Sequence, residues 1–225
     1  MIKLFLFDIE GTTTDINFVH KVLFPYSNKH LESFILQHQT HPGVMKALES
    51  VKETVYEEDK KQIGLYDVIS TLKNWILIDR KHGALKEIQG LIWHEGYSKN
   101  EFEGHIYDDV KPFFEKIKSL HGKIAIYSSG SVQAQKLIFG HSCVGDLKAF
   151  ISYYFDTKVG GKREKKSYET IAGEVGLKPQ EIQFFSDIPE ELEAAEASGM
   201  KVTHILRDGT QPSRFPSVRH FGEVF

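Results

Sequence analysis

At 225 residues, 40% of them hydrophobic, the chain is long enough to bury a core without disulfides or a structural metal. A formal net charge of -3 argues against nucleic acid, because phosphate backbones recruit basic surfaces. The single cysteine, Cys143, excludes an internal disulfide and reads as a small loop or core residue.

Residues 2–7, Ile-Lys-Leu-Phe-Leu-Phe, read as a buried strand. Asp8 and Glu10 end this apolar run too early for a secretory signal, whose apolar region needs about 7–15 residues. No stretch approaches the ~20 apolar residues of a transmembrane helix, so the cytoplasm is the expected location. Residues 17–104 then show helical patterns at 29–38, 43–58, 65–81 and 85–97, with Val68, Leu72, Trp75 and Ile76 at helical spacing. Beyond them strand and helix alternate. Strands are expected at 123–127, 150–155, 182–185 and 201–206. Helices are expected at 132–139, 165–175 and 190–198. Pro189 and Gly199 punctuate the last helix, and Glu190, Glu191 and Glu193 suit the positive end of its dipole. Alternation at this pitch predicts an α/β, doubly wound, mostly parallel Rossmann-like sheet. The expected domains are a catalytic core of residues 1–16 and 105–225 and an inserted helical cap of residues 17–104.

Ligands of such sheets bind beyond the carboxyl ends of the strands. Polar groups follow three of the strands there: Asp8-Ile9-Glu10-Gly11-Thr12, Ser128-Ser129-Gly130-Ser131 and Ser186-Asp187. A lone Ser or Asp is ordinarily a helix cap or turn residue; three such sets at one sheet edge point to chemistry. A phosphate monoester repels an attacking carboxylate, so Asp8 and Asp187 would share a hard, oxygen-loving cation such as Mg²⁺. Asp8 would attack phosphorus to form an aspartyl-phosphate. Glu10, two residues on, could supply the proton for the leaving oxygen, with Gly11 permitting the sharp turn. Ser129 and the amides around Gly130 suit phosphate oxygens at a helix N-terminus. A lysine would complete the charge balance, with Lys158, Lys162, Lys165 and Lys166 as equal candidates by chemistry.

These residues resemble the motifs of the haloacid-dehalogenase-like phosphatases: Asp8 to Thr12 the first, Ser128 or Ser129 the second, a lysine near Lys162 the third, and Ser186-Asp187 the fourth. The chain is more specifically similar to the enolase-phosphatase family of methionine salvage. Asp8-Ile9-Glu10-Gly11-Thr12-Thr13-Thr14, Tyr127-Ser128-Ser129-Gly130-Ser131, Phe139-Gly140-His141-Ser142 and Phe155-Asp156-Thr157 carry that likeness. It spans nearly the whole chain. Asp15 and Asp108 stand where that family has prolines, and Arg207-Asp208-Gly209 replaces Arg-Pro-Gly.

The resemblance implies a Mg²⁺-dependent phosphatase with one ion per chain; a monomer without nucleic-acid or membrane partners is expected. Its substrate would be 2,3-diketo-5-methylthiopentyl-1-phosphate, enolised and dephosphorylated to acireductone. It makes Asp8 the nucleophile and a metal ligand, Glu10 the general acid/base and a metal contact, and Asp187 a metal ligand. Ser128, Ser129 and Lys162 bind the phosphate. Because direct Mg²⁺ ligation would make the Glu10 carboxyl a poor proton donor, its metal contact is expected through the backbone carbonyl. A phosphatase of the same fold for another small ester, and a silent phosphometabolite-binding module, are the competing readings. Trp93 and Tyr97 are core residues on the plain reading, and wall candidates for an apolar substrate tail.

Overall fold

The computed structural model describes residues 1–224. The chain divides into two compact units, Val19–Phe102 and a second formed by Met1–Phe18 with the chain from Glu103 onward.

The second unit is built on a six-stranded parallel sheet. Its strands are β1 (Leu4–Phe7), β2 (Lys123–Tyr127), β3 (Ile151–Phe155), β4 (Ile182–Ser186), β5 (Lys201–Ile205) and the two-residue β6 (Ser217–Val218), in the order β3-β2-β1-β4-β5-β6. Every residue of β1 is buried, as a central strand covered on both faces requires. Alternation along it feeds two different cores. Leu4 and Leu6 pack with Tyr168, Ile171, Leu192 and Ala195. Phe5 and Phe7 join an aromatic stack with Phe113, Phe185 and Phe221, in which Phe7 lies 4.9 Å from Phe185.

Helix α1 (Ile16–Phe18) is a single turn, followed by a π-helical turn (Val19–Leu23). The Val19–Phe102 unit then consists of α2 (Phe24–Gln37), α3 (Pro42–Asp59), α4 (Leu65–Leu77) and α5 (Gly83–Ser98). One apolar stripe from each forms its core, including Leu31, Ile35, Val44, Val51, Val68, Leu72, Ile88 and Ile92. Helix α2 begins five residues earlier than the spacing suggested, because Pro25 starts a helix well in its first turn. Helix α4 stops at Leu77 rather than at 81: Asp79 adopts a left-handed conformation (φ 50°), and the Arg80 guanidinium folds back over the Trp75 ring at 4.2 Å. Trp93 and Tyr97 are buried in the same unit, with Trp93 stacked on Phe24 at 6.4 Å. The Trp93 indole donates to the Leu23 carbonyl at 2.8 Å, and Tyr97 is 1% exposed against Phe102.

The remaining helices are α6 (Val110–Ser119), α7 (Val132–Gly140), α8 (Lys165–Val175) and α9 (Pro189–Ala197). Helix α6 was not expected, although Val110, Phe113, Phe114 and Ile117 recur at helical spacing and are its buried residues. Among the described residues no helix is long and apolar enough to cross a membrane.

Candidate active site

Strand order reverses across β1, since the chain leaves it toward β2 and β3 and later returns on its other side at β4. Such a switch point opens a crevice at the carboxyl ends of the strands. Asp8 sits there as the last rung of the ladder: its N–H donates to the Phe185 carbonyl of β4 at 3.0 Å. The chain then turns tightly, with the N–H groups of Thr12, Thr13 and Thr14 all donating to the Ile9 carbonyl. Gly11 makes the turn at φ 73°, and a Cβ there would overlap the Asp187 carboxylate. Asp8 is 2% exposed.

Ser128 extends the β2–β3 ladder in the same manner, donating its N–H to the Phe155 carbonyl at 3.2 Å. Its hydroxyl accepts from the Gly130 N–H at 3.0 Å and donates to Glu10 Oε2 at 3.2 Å, so it holds the Glu10 carboxyl at the mouth of the loop. Ser129 is exposed at the same turn, three residues before α7. Ser131 caps that helix by accepting from the Ala134 N–H at 3.2 Å.

Lys162 arrives on the loop after β3. Three successive carbonyls of this loop are anchored by three hydroxyls: Gly160 by Tyr127 at 2.9 Å, Gly161 by Ser167 at 2.7 Å and Lys162 by Tyr168 at 2.7 Å. The ammonium, 10% exposed, donates to Asp8 Oδ1 and pairs with Glu191 Oε2 at 2.7 Å. Its neighbours Lys158, Lys165 and Lys166 are exposed. Glu191 also accepts from the Ser186 hydroxyl at 3.0 Å. It is an interior partner of the lysine, not a surface carboxylate compensating the dipole of α9.

Asp187 follows β4. Its N–H donates to Thr12 Oγ1 at 3.1 Å, and its carbonyl accepts from His204 Nε2 at 3.0 Å. Two further contacts stabilise the region without being evident in the sequence. The Arg207 guanidinium donates twice to the Thr12 carbonyl, at 3.1 and 2.9 Å, and binds both oxygens of the buried Asp109. Asp109 in turn accepts from the Phe221 N–H at 2.8 Å. Neither His204 nor the Arg207–Asp109 pair forms a local motif; only the sheet brings them to the loop. Of the family-divergent positions, Asp15 accepts from the Asn17 N–H at 2.8 Å, while Asp108 and Asp208 are exposed.

Asp8, Glu10, Asp187 and Glu191 thus surround one ammonium, and the shortage of positive charge shows in their protonation. Burial, then the Asp8 charge, push Asp187 and Glu191 each up to about 7, and the same two causes raise Glu10 above the usual carboxylate range. Burial alone would lower the Lys162 ammonium, but Asp8, Glu191 and Glu10 outweigh it and raise it. Carboxylates forced together beyond their counter-charge are what a divalent cation would relieve. Among the described residues no three His, Cys, Asp or Glu side chains converge on one point as a metal cage. An ion taken by Asp8 and Asp187 would therefore complete its shell with backbone carbonyl and water oxygens, the preference of Mg²⁺. The donor set fits that ion.

A family model described as haloacid dehalogenase-like hydrolase matches residues 2–199. The chain is 47% identical to an enolase-phosphatase E1 of Marinobacter nauticus over 226 residues, covering 100% of this chain and 97% of the relative. It is 44% identical to an enolase-phosphatase E1 of Aquifex aeolicus over 228 residues, covering 100% and 99%. The crystal structure of the UTR4 protein of Saccharomyces cerevisiae superposes with a TM-score of 0.82 at 30% identity, covering 98% of each chain.

Proposed function

This chain belongs to the haloacid dehalogenase-like hydrolases and, within them, to the enolase-phosphatases, and we propose that it converts 2,3-diketo-5-methylthiopentyl-1-phosphate to acireductone and phosphate in methionine salvage. The observation that carries the phosphatase chemistry is the buried Asp8 carboxylate held by Lys162 at the switch point, with Ser128, Glu10 and Asp187 around it. Asp8 Oδ attacks phosphorus, and the bond from phosphorus to the substrate oxygen breaks. Glu10, whose carboxyl is raised above the usual carboxylate range by burial and by the Asp8 charge, protonates that leaving oxygen. Its carboxylate then removes a proton from the water that hydrolyses the aspartyl-phosphate, returning Asp8. Lys162 neutralises the phosphoryl oxygens, and the hydroxyls of Ser128 and Ser129, beside the amides that open α7, orient them. Bound Mg²⁺, held by Asp8, Asp187 and the Glu10 backbone carbonyl, would reduce the repulsion between carboxylate and phosphate. The reaction is assigned to the cytoplasm and to a single chain with one ion.

Groups that bind only phosphate recognise what every phosphate ester shares. Substrate choice is therefore assigned to the Val19–Phe102 unit, as a cap whose selectivity for an apolar tail is worth about 1–3 kcal/mol. The deciding experiment is turnover of the diketo phosphate against a panel of sugar and polyol phosphates. A kcat/KM at least tenfold above every panel member supports the reading. A sugar phosphate as the best substrate would replace it with a phosphatase of the same chemistry and different specificity.

A further inference from the structure

His204 is fully buried on β5, next to Ser186 in the β4–β5 register. Its ring has a partner at each nitrogen: the Asp187 carbonyl lies 3.0 Å from Nε2, and the Ser213 hydroxyl 2.9 Å from Nδ1. A carbonyl can only accept, so Nε2 carries the hydrogen. Nδ1 and the Ser213 hydroxyl make the second bond, in which a hydroxyl can serve as donor or acceptor. Ser213 is itself fixed by the Phe215 N–H at 3.4 Å. The ring's orientation is set by these two partners.

Asp187 is consequently held on three sides. Its N–H is bound to Thr12 Oγ1 of the nucleophile loop, its carbonyl to His204, and its carboxylate lies in the space a Gly11 Cβ would fill. The carboxylate's own hydrogen bond, from Thr12 Oγ1 at 3.5 Å, is long. The side chain is aimed by the backbone that carries it, and that backbone is secured from the sheet side by His204.

We propose that His204, its ring braced by Ser213, is a positioning residue that orients Asp187 for metal binding. The inference rests on the reading of Asp187 as a metal ligand. Partners that orient a ligating group are generally worth about 10–100-fold in metal affinity.

The test is Mg²⁺ binding to the substrate-free protein by titration calorimetry, together with the Mg²⁺-induced rise in Tm. His204→Leu fills similar volume without a donor, whereas His204→Gln can place an amide N–H where Nε2 was. His204→Leu is expected to weaken Mg²⁺ binding about 10–100-fold, and His204→Gln to stay within about threefold of the parent. A purely structural histidine would lower Tm in both variants and leave affinity unchanged. Native affinity in a folded His204→Leu protein, or equal weakening by Leu and Gln, overturns the proposal. Should His204→Leu not fold, Ser213→Ala keeps the ring but removes the brace at Nδ1. A loss of about threefold or more then supports the proposal, and none overturns it. Asp187→Ala is the reference. If it binds Mg²⁺ as the parent does, the fault lies in the ligand assignment, and the role of His204 falls with it.

Discussion

Replacing Lys162 by Ala separates the electrostatics of the site from its architecture. The loop backbone is held independently of the side chain, by Tyr127, Ser167 and Tyr168 hydroxyls on three carbonyls, so the perturbation is confined to the ammonium. Removing one member of a buried ion pair costs about 3–5 kcal/mol when its partner stays charged. Here the partners can escape that cost. Glu191 and Asp187 already sit at about 7, so at neutral pH they take up a proton almost freely. The expected loss of stability in metal-free protein is therefore only about 1–2 kcal/mol at pH 7. It grows as pH rises and proton uptake becomes costly. Catalysis has no such escape, because a proton on a carboxyl does not neutralise phosphoryl oxygens. The expected fall in kcat/KM is about 10²–10³-fold, near 2.7–4 kcal/mol. Urea denaturation at pH 6, 7 and 8.5, with phosphate release from the diketo substrate and from p-nitrophenyl phosphate, measures both quantities. Lys166→Ala, at an exposed position, is the control and should be nearly silent. Activity within fivefold of the parent, or equal losses at both positions, refutes the assignment of Lys162.

Asp8→Asn should abolish turnover in a protein of near-native Tm; activity within tenfold of the parent would end the nucleophile assignment. Gly11→Ala should lose both stability and metal binding, since φ 73° disfavours a side chain and the new Cβ meets the Asp187 carboxylate; a native Mg²⁺ titration would show that the turn relaxes harmlessly. Ca²⁺ should bind in place of Mg²⁺ and inhibit, because its longer bonds and higher coordination misplace the attack; activity equal to that with Mg²⁺ contradicts this. Metal-free protein should lose stability as pH rises. The carboxyls of Asp187 and Glu191 have folded-state values raised to about 7, so the folded state binds more protons than the unfolded chain from about pH 4 to 7. Urea midpoints rising across that window would refute the charge-excess argument, and saturating Mg²⁺ should flatten the slope.

What was legible in the sequence follows from locality. Strands β1, β2 and β4 announced themselves as apolar runs, and each ended on its polar residue, so Asp8, Ser128 and Asp187 could be read together. Helix α6 carries a plain apolar stripe, but it is only ten residues long and Pro112 in its first turn weakens the helical signal. The two residues of β6 are too few for any periodicity. Lys162 lay among four lysines of identical chemistry, and the buried pairing with Asp8 and Glu191 now distinguishes it. Glu191 could be taken for a helix-dipole carboxylate, because a first-turn position suits both roles. His204, and Arg207 with Asp109, act through backbone carbonyls of residues distant along the chain. No spacing rule records such a contact, since it exists only once the parallel strands are in register.

The interrupted connection after β1 has a consequence for how the protein is made. β1 is the sheet's central strand, yet its first neighbour, β2, begins at Lys123. The ribosome must add about 115 residues between them, which at about 5–20 residues per second is a wait of roughly 6–23 seconds. Throughout it Leu4, Phe5, Leu6 and Phe7 have no sheet to enter. The four helices α2 to α5 draw their core from one contiguous stretch, so they can mature on the nascent chain while the strand that leads into Asp8 is still unpaired. The segment most exposed to miscontact during synthesis is therefore the one that later forms the floor of the catalytic crevice. Ribosome-bound chains halted before Lys123 should display it to chaperones.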